Sequence, residues 1–237
     1  MTSFFGNILG GLLKFVFDFV SSIGTESDFF SYYGISIILT TILFRLLLLP
    51  ISLQQSRSTK IMNELQPKIQ EIQRKYKNDP QTQQAKLMQL YKENNYNPAS
   101  GCLILLIQFP IILAFFNVLR DPVRFVFKDI NVYNAINKGF LWIPNLEQPD
   151  PYIWGLPLFA ALTTFLQSKL MSTNIESNPQ TESTQRMMNI FLPIMIFWAA
   201  RSFPSGISLY WVVGNLFQIV QQLVINRSLG KIKEETR

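Results

Sequence analysis

An all-α membrane protein with several spans is the fold class this sequence predicts, and three observations carry the expectation. Charged residues make up 15% of the chain and hydrophobic ones 48%, with 20 phenylalanines, where soluble domains carry about 25% charged residues. The runs 35–53, 101–119 and 207–225 are apolar and long enough, at about 1.5 Å of rise per residue, to cross a hydrocarbon core of about 30 Å. Residues 7–21 and 211–222 each carry a stripe at spacings of three and four, the helical period.

Residues 1–24 are apolar, but Asn7, Gly11, Lys14, Asp18 and Ser21 fall at intervals of four, three, four and three, on one helical stripe. That pattern predicts an amphipathic helix lying in the membrane interface rather than a span. It also fits a signal peptide poorly, since no Lys or Arg precedes the apolar stretch. A membrane core of five spans is expected over 34–228. Its first span, 35–53, carries a full positive charge at Arg45, with Thr41 and Ser52 on the same face.

Residues 54–97 read as a helical hairpin inserted between the first two spans. Ile61, Leu65, Ile69, Ile72 and Tyr76 form one apolar stripe, Asn78-Asp79-Pro80 a turn, and Leu87, Leu90 and Tyr91 resume the stripe. Pro67 is expected to bend the first arm. The second span, 101–119, holds Gln108 and Asn117 on opposite faces. Residues 120–151 form a loop with balanced charge, and 152–171 the third span, with Thr163 and Gln167 sharing a face. A polar loop, 172–185, precedes the short fourth span, 187–200, for which a thinned bilayer is the natural accommodation. The fifth span, 207–225, repeats Trp211, Asn215, Gln218 and Gln222 at four, three, four. Two readings fit that stripe: a hydrated cavity wall, or hydrogen bonding to a neighbouring helix. A short basic tail, 229–237, ends the chain.

Charge bias orients the map. The hairpin carries eight basic residues (Arg57, Lys60, Lys68, Arg74, Lys75, Lys77, Lys86, Lys92) against four acids (Glu64, Glu71, Asp79, Glu93). By the positive-inside rule the hairpin, the 172–185 loop and the tail face the cytoplasm, with the amino terminus outside.

Arg45 is the main candidate for function. An arginine at the centre of a span costs between about 2.5 and 17 kcal/mol, so one that is present faces a wet cavity or a partner by default. No Asp or Glu lies between Asp28 and Glu64, or inside any later apolar run. The charge is therefore suited to a carboxylate brought by something else. The competing reading is snorkelling toward the end of the run.

The composition also excludes classes. The chain has no histidine and one cysteine, Cys102, which removes histidine-based catalysis, an internal disulfide and an ordinary zinc site. No enzyme activity and no cofactor is expected.

Four segments together carry a resemblance: NELQPKIQEIQRKYKNDP with LYKENNYNPASGCLILLIQFPIILAFF, FLWIPNLEQPDPY, TTFLQSKL, and FPSGISLYWVVGNLFQIVQQ. They are similar to the YidC-type (YidC/Oxa/Alb) family of membrane protein insertases in its five-span bacterial form. Ile104 stands where the family often has proline, and Ser205 where it often has alanine. The resemblance implies a five-helix core enclosing a hydrophilic groove that is open to cytoplasm and lipid and closed to the outside. It implies too a cytoplasmic hairpin and a location in the bacterial plasma membrane. Arg45 corresponds to the family's groove arginine. Gln167, Tyr210 and Trp211 match positions associated with the groove or substrate contact. To these the residue pattern adds Asn215 and Gln218.

The expected function is insertion of nascent membrane proteins into the bilayer, with lipids, the ribosome and the Sec translocon as candidate partners and no role for DNA. The alternatives are a small-solute or anion transporter using Arg45 as its site, and a membrane scaffold that binds a partner through the hairpin.

Overall fold

The computed structural model describes residues 2–24, 26, 27, 29–97, 100–171 and 187–235, and among them the secondary structure is helical, with isolated bridges but no strand. The 172–185 loop and the Gln108 side chain lie outside what is described. The first helix, α1 (Thr2–Ile23), has three sides. Leu9, Leu13, Val16 and Phe17 are buried against the bundle, while Phe4, Ile8, Phe15, Phe19 and Ile23 are exposed. Between these two apolar sides runs the polar stripe, where Lys14 and Asp18 pair at i,i+4. The buried side approaches closely at Gly10, where a Cβ would collide with the Phe125 carbonyl oxygen.

The run around Arg45 is not one straight helix. It divides into α2 (Tyr32–Leu47) and α3 (Leu49–Lys75), bent by 63° at Leu48. The cause is Pro50 in the first turn of α3, which has no N–H to donate and crowds the preceding turn, as proline does wherever it cannot continue a helix. The second part then runs on without a break through Pro67 to Lys75. It packs on α4 (Pro80–Glu93) through Leu65, Ile69 and Leu90, a small core flanked by Ile61, Met62, Ile72, Leu87, Tyr91 and Tyr96. Asp79 caps α4, accepting from the Thr82 N–H at 3.1 Å and the Thr82 hydroxyl at 2.6 Å. These bonds to the charged form hold the Asp79 carboxyl below its ordinary range.

The remaining helices are α5 (Ser100–Arg120), the short α6 (Ile130–Ala135), α7 (Leu156–Met171), α8 (Leu192–Ser202) and the long α9 (Ser205–Glu235). The 120–151 segment is more structured than a loop, since it contains a π-turn, Val123–Phe127, as well as α6. The 229–237 tail, too, continues α9 as helix to Glu235. By length and apolarity Phe4–Ile23 and Ser205–Ile225 can each cross a membrane, and the bent pair of α2 and α3 makes a third; Phe109–Arg120 and Asn189–Ser202 are apolar but shorter.

The contacts set the directions of the helices. Ile37 and Arg45 of α2 meet Gly206 and Gly214 of α9 in that order, so these two run parallel. Leu119 lies by Gly206 and Phe115 stacks on Tyr210, so α5 runs antiparallel to them.

One end of the bundle is closed by the 121–155 segment. Tyr33, Phe115, Val118, Phe127, Phe140, Leu146, Ile207 and Tyr210 are buried there in a single core. The first N–H groups of α9, which have no partner within the helix, are taken up by this segment: Ser205 donates to the Gln148 carbonyl at 2.8 Å and Gly206 to the Leu146 carbonyl at 2.9 Å. Asp150 is 1% exposed, yet its carboxylate accepts from Leu156 N, Tyr152 N and Trp142 Nε1. A buried acid with three N–H donors is satisfied rather than stranded. Nearby, Lys138 and Glu147 form an ion pair at 3.4 Å. Burial nonetheless pushes the Glu147 carboxyl up and the Lys138 ammonium down, so desolvation outweighs their attraction.

Candidate functional site

The bend at Leu48 changes the setting of Arg45. It leaves the arginine in the last turn of α2, where the unsatisfied carbonyls at a helix C-terminus favour a cation by about 0.3–1 kcal/mol. The side chain is half-buried and has interactions within the protein. Its guanidinium lies against α9 at Gly214, with Nη2 2.8 Å from where a Cβ on that glycine would stand.

The next residues of α9 reach the neighbouring helices. Asn215 is buried, and its amide donates to Thr164 Oγ1 at 2.8 Å and Thr163 Oγ1 at 3.1 Å on α7. One turn on, the Gln167 amide donates to the Gln218 side-chain oxygen. Beyond these, Gln221 and Ser52 exchange hydrogen bonds of 2.9 and 3.2 Å. The Ser56 hydroxyl donates to Gln222 Oε1 at 3.3 Å. Since α3 supplies both serines, this polar zone lies at the hairpin end of the bundle. Of the two readings of the α9 stripe, hydrogen bonding to neighbouring helices is the one seen directly in these contacts.

Four candidates therefore come together over little more than one turn of α9: Arg45 at Gly214, then Asn215, Gln218 and its partner Gln167. Tyr210 and Trp211 stand apart from them. Tyr210 is 1% exposed and stacks on Phe115 with ring centroids 3.9 Å apart. Trp211 is also buried, its ring tilted against Phe203 at 6.3 Å. Both belong to the core of the closed end.

Sequence reasoning passed over Gly214, Thr164 and Gln221. The signal available for Gly214 was an isolated glycine inside a helical run, which often marks a close approach. Nothing in the periodicity distinguishes Gln221 from Gln222, because the distinction depends on where α3 runs after the bend.

The zone offers hydrogen bonds and one strong positive charge. Residues 32–47, 156–171 and 192–225 contain no Asp, Glu, His or Cys, so these helices supply no carboxylate, imidazole or thiol to act as a general base beside the hydroxyls. Attraction and solvation are what this arrangement can perform.

Residues 25–233 match the family described as 60Kd inner membrane protein. A curated relative named membrane protein insertase YidC, from Oceanobacillus iheyensis, is 42% identical over 205 residues, which are 83% of this chain and 75% of that protein. A second of the same name, from Fusobacterium nucleatum, is 38% identical over 223 residues, covering 94% and 97% of the two chains. Membrane protein insertase YidC 1 of Listeria monocytogenes is 39% identical over 214 residues, 88% of this chain and 69% of that one.

Proposed function

The chain belongs to the 60Kd inner membrane protein (YidC-type) family, and from that premise we propose that it is a membrane protein insertase that works through a hydrophilic groove. The groove is formed by α2, α7 and α9, opens toward the hairpin and lipid, and is closed at the other end by the 121–155 segment. The observation that carries this reading is the contrast along α9, whose buried aromatic core at Tyr210 gives way within about two turns to Arg45, Gln218 and Gln167.

Five spans are part of the proposal: α2 with the start of α3, then α5, α7, α8 and α9. The first helix, α1, lies in the interface, with Phe4, Ile8, Phe15 and Phe19 in the acyl region, its polar stripe toward water and its third side on the bundle. The basic hairpin and tail put the polar end on the cytoplasmic side of a bacterial plasma membrane and the amino terminus outside.

The mechanism involves no covalent step. A short acidic tail of a nascent membrane protein enters the polar zone from the cytoplasm. There the Arg45 charge attracts its carboxylate with about 4 kcal/mol at about 4 Å in an effective dielectric near 20. The hydrogen bonds that Asn215, Gln167 and Gln218 now make with neighbouring helices are exchangeable ones, so the tail and its water can take them over. The substrate's own apolar segment meanwhile partitions into lipid, and that transfer drives the step. The hairpin's basic surface offers the docking site for anionic lipid or ribosomal RNA, and the Sec translocon is a further candidate partner.

The test is insertion of a single-span substrate with an acidic amino-terminal tail. Arg45→Lys should keep most of the activity. Arg45→Ala and Arg45→Glu should lose it while the protein still accumulates in the membrane, and neutralising the substrate tail should narrow the gap to wild type. Wild-type insertion of the acidic tail by Arg45→Ala would sink the electrostatic mechanism.

A further inference from the structure

Glycine lets membrane helices approach closely, and Gly214 lies in the middle of the segment of α9 long enough to cross a membrane. What a side chain at this position would meet is specific. A Cβ at Gly214 would stand 2.8 Å from Arg45 Nη2, 3.3 Å from Nε and 3.4 Å from Cζ, so all three nearest atoms belong to one guanidinium. At Gly206 of the same helix, a Cβ would meet Ile37, Leu146 and Leu119 at 3.4–3.5 Å, which is ordinary contact. The Nε–Nη2 edge of the guanidinium thus approaches α9 at a position that carries no side chain.

The position also fixes depth. The Ser52–Gln221 pair marks the hairpin end of the polar zone, and Gly214 lies about two turns, or roughly 10 Å, before it along α9. An arginine extending toward that end would bring its charge nearer to Gln221. In this structure the guanidinium instead stays beside Gly214, deeper in the bundle.

We propose that Gly214 is a positioning residue: it forms the seat that holds the Arg45 charge deep in the bundle, and so sets how far an acidic substrate tail must enter to meet it. The second half of this statement rests on the insertase reading above; the seat itself does not. A side chain at 214 pushes the guanidinium outward, by little for alanine and by more for leucine, since the far end of an arginine can swing.

The test is a double-mutant cycle on the full chain in lipid nanodiscs. Gly214→Ala and Gly214→Leu are each made with Arg45 present and with Arg45→Ala, and thermal unfolding is followed. Gly214→Ala should be tolerated worse with Arg45 present than without it, by about 2–4 °C in midpoint, and Gly214→Leu worse still. Equal shifts in the two backgrounds would overturn the seat. Insertion is read in the same variants as the ratio of acidic-tailed to neutral-tailed substrate inserted. Gly214→Leu should lower this ratio several-fold toward the Arg45→Ala value, the ratio cancelling any general loss of insertion that the two substrates share. If Arg45→Ala abolishes the preference and Gly214→Leu leaves it intact, the positioning role is overturned. If Arg45→Ala itself leaves the ratio unchanged, the insertase electrostatics fail instead, and the thermal cycle alone judges the seat.

Discussion

Around Tyr33, Phe115 and Tyr210 the helices meet through buried rings, and the segment that closes this end supplies hydrogen-bond acceptors to the start of α9. About one to three turns further along the same helices they meet through Arg45, Asn215, Gln218 and Gln221. The first kind of contact is close to irreplaceable, because removing a buried ring leaves a cavity that its neighbours only partly fill. The second kind is weak and replaceable. Hydrogen bonds between membrane helices average about 0.6 kcal/mol, since a polar side chain in the membrane finds partners in the unfolded state too. A bundle built this way is more rigid at the first end and more easily opened at the second, as the proposed entry of a polar tail requires.

The largest expected effect lies at the closed end. Phe115→Ala, which removes the ring stacked on Tyr210, should cost about 3–5 kcal/mol and show as poor accumulation and a low unfolding midpoint. A mild effect would mean that the two ends do not differ in kind. Reactivity separates them next. In a Cys102→Ser background, cysteines at Gln218 and Gln221 should react with a polar thiol reagent applied from the cytoplasmic side at least about tenfold faster than cysteines at Ile207 and Tyr210, a difference of about 1.4 kcal/mol in barrier. Equal rates would remove the case for a hydrated zone.

A smaller effect is expected at Asn215. Asn215→Leu deletes two interhelical bonds, so stability should fall by only about 0.6–1.7 kcal/mol; a loss as large as that of Phe115→Ala would make Asn215 part of the rigid frame. The smallest effect lies outside the bundle, in the hairpin. The Asp79 carboxyl is held below its ordinary range by Thr82. Its contribution is therefore complete above the unfolded carboxylate pKa near 3.9 and is lost as pH falls through the lower folded value. Asn caps helices as well as Asp does. Asp79→Asn should accordingly leave the hairpin helical at pH 7 and flatten the acid limb of its stability curve, as read by circular dichroism.

Much of the local structure was legible from composition and period alone. The apolar stripe Ile61, Leu65, Ile69, Ile72 matches the face on which α3 packs against α4, and the Asn78-Asp79-Pro80 turn lies between them, because a charged helix has one apolar side to bury and proline and aspartate start the next helix well. The bend after Arg45 was missed although Pro50 was in view, since an apolar run scores the same whether it is straight or turns by 63°. The helices inside 120–151 were missed because short elements carry little periodic signal.

The helical class, the candidate membrane segments and the charge on one of them are properties of single segments, written in hydrophobicity and spacing, while the family rests on the resemblance of four segments taken together. Tertiary structure alone decided that Tyr210 is a core ring while Asn215, little more than a turn away, bonds α7, and that Arg45 rests on Gly214. Both facts depend on which helix lies beside which and at what height. That pairing is fixed by side chains far apart in the chain, such as Arg45 against Gly214 or Ser52 against Gln221, whose proximity no period within one segment contains.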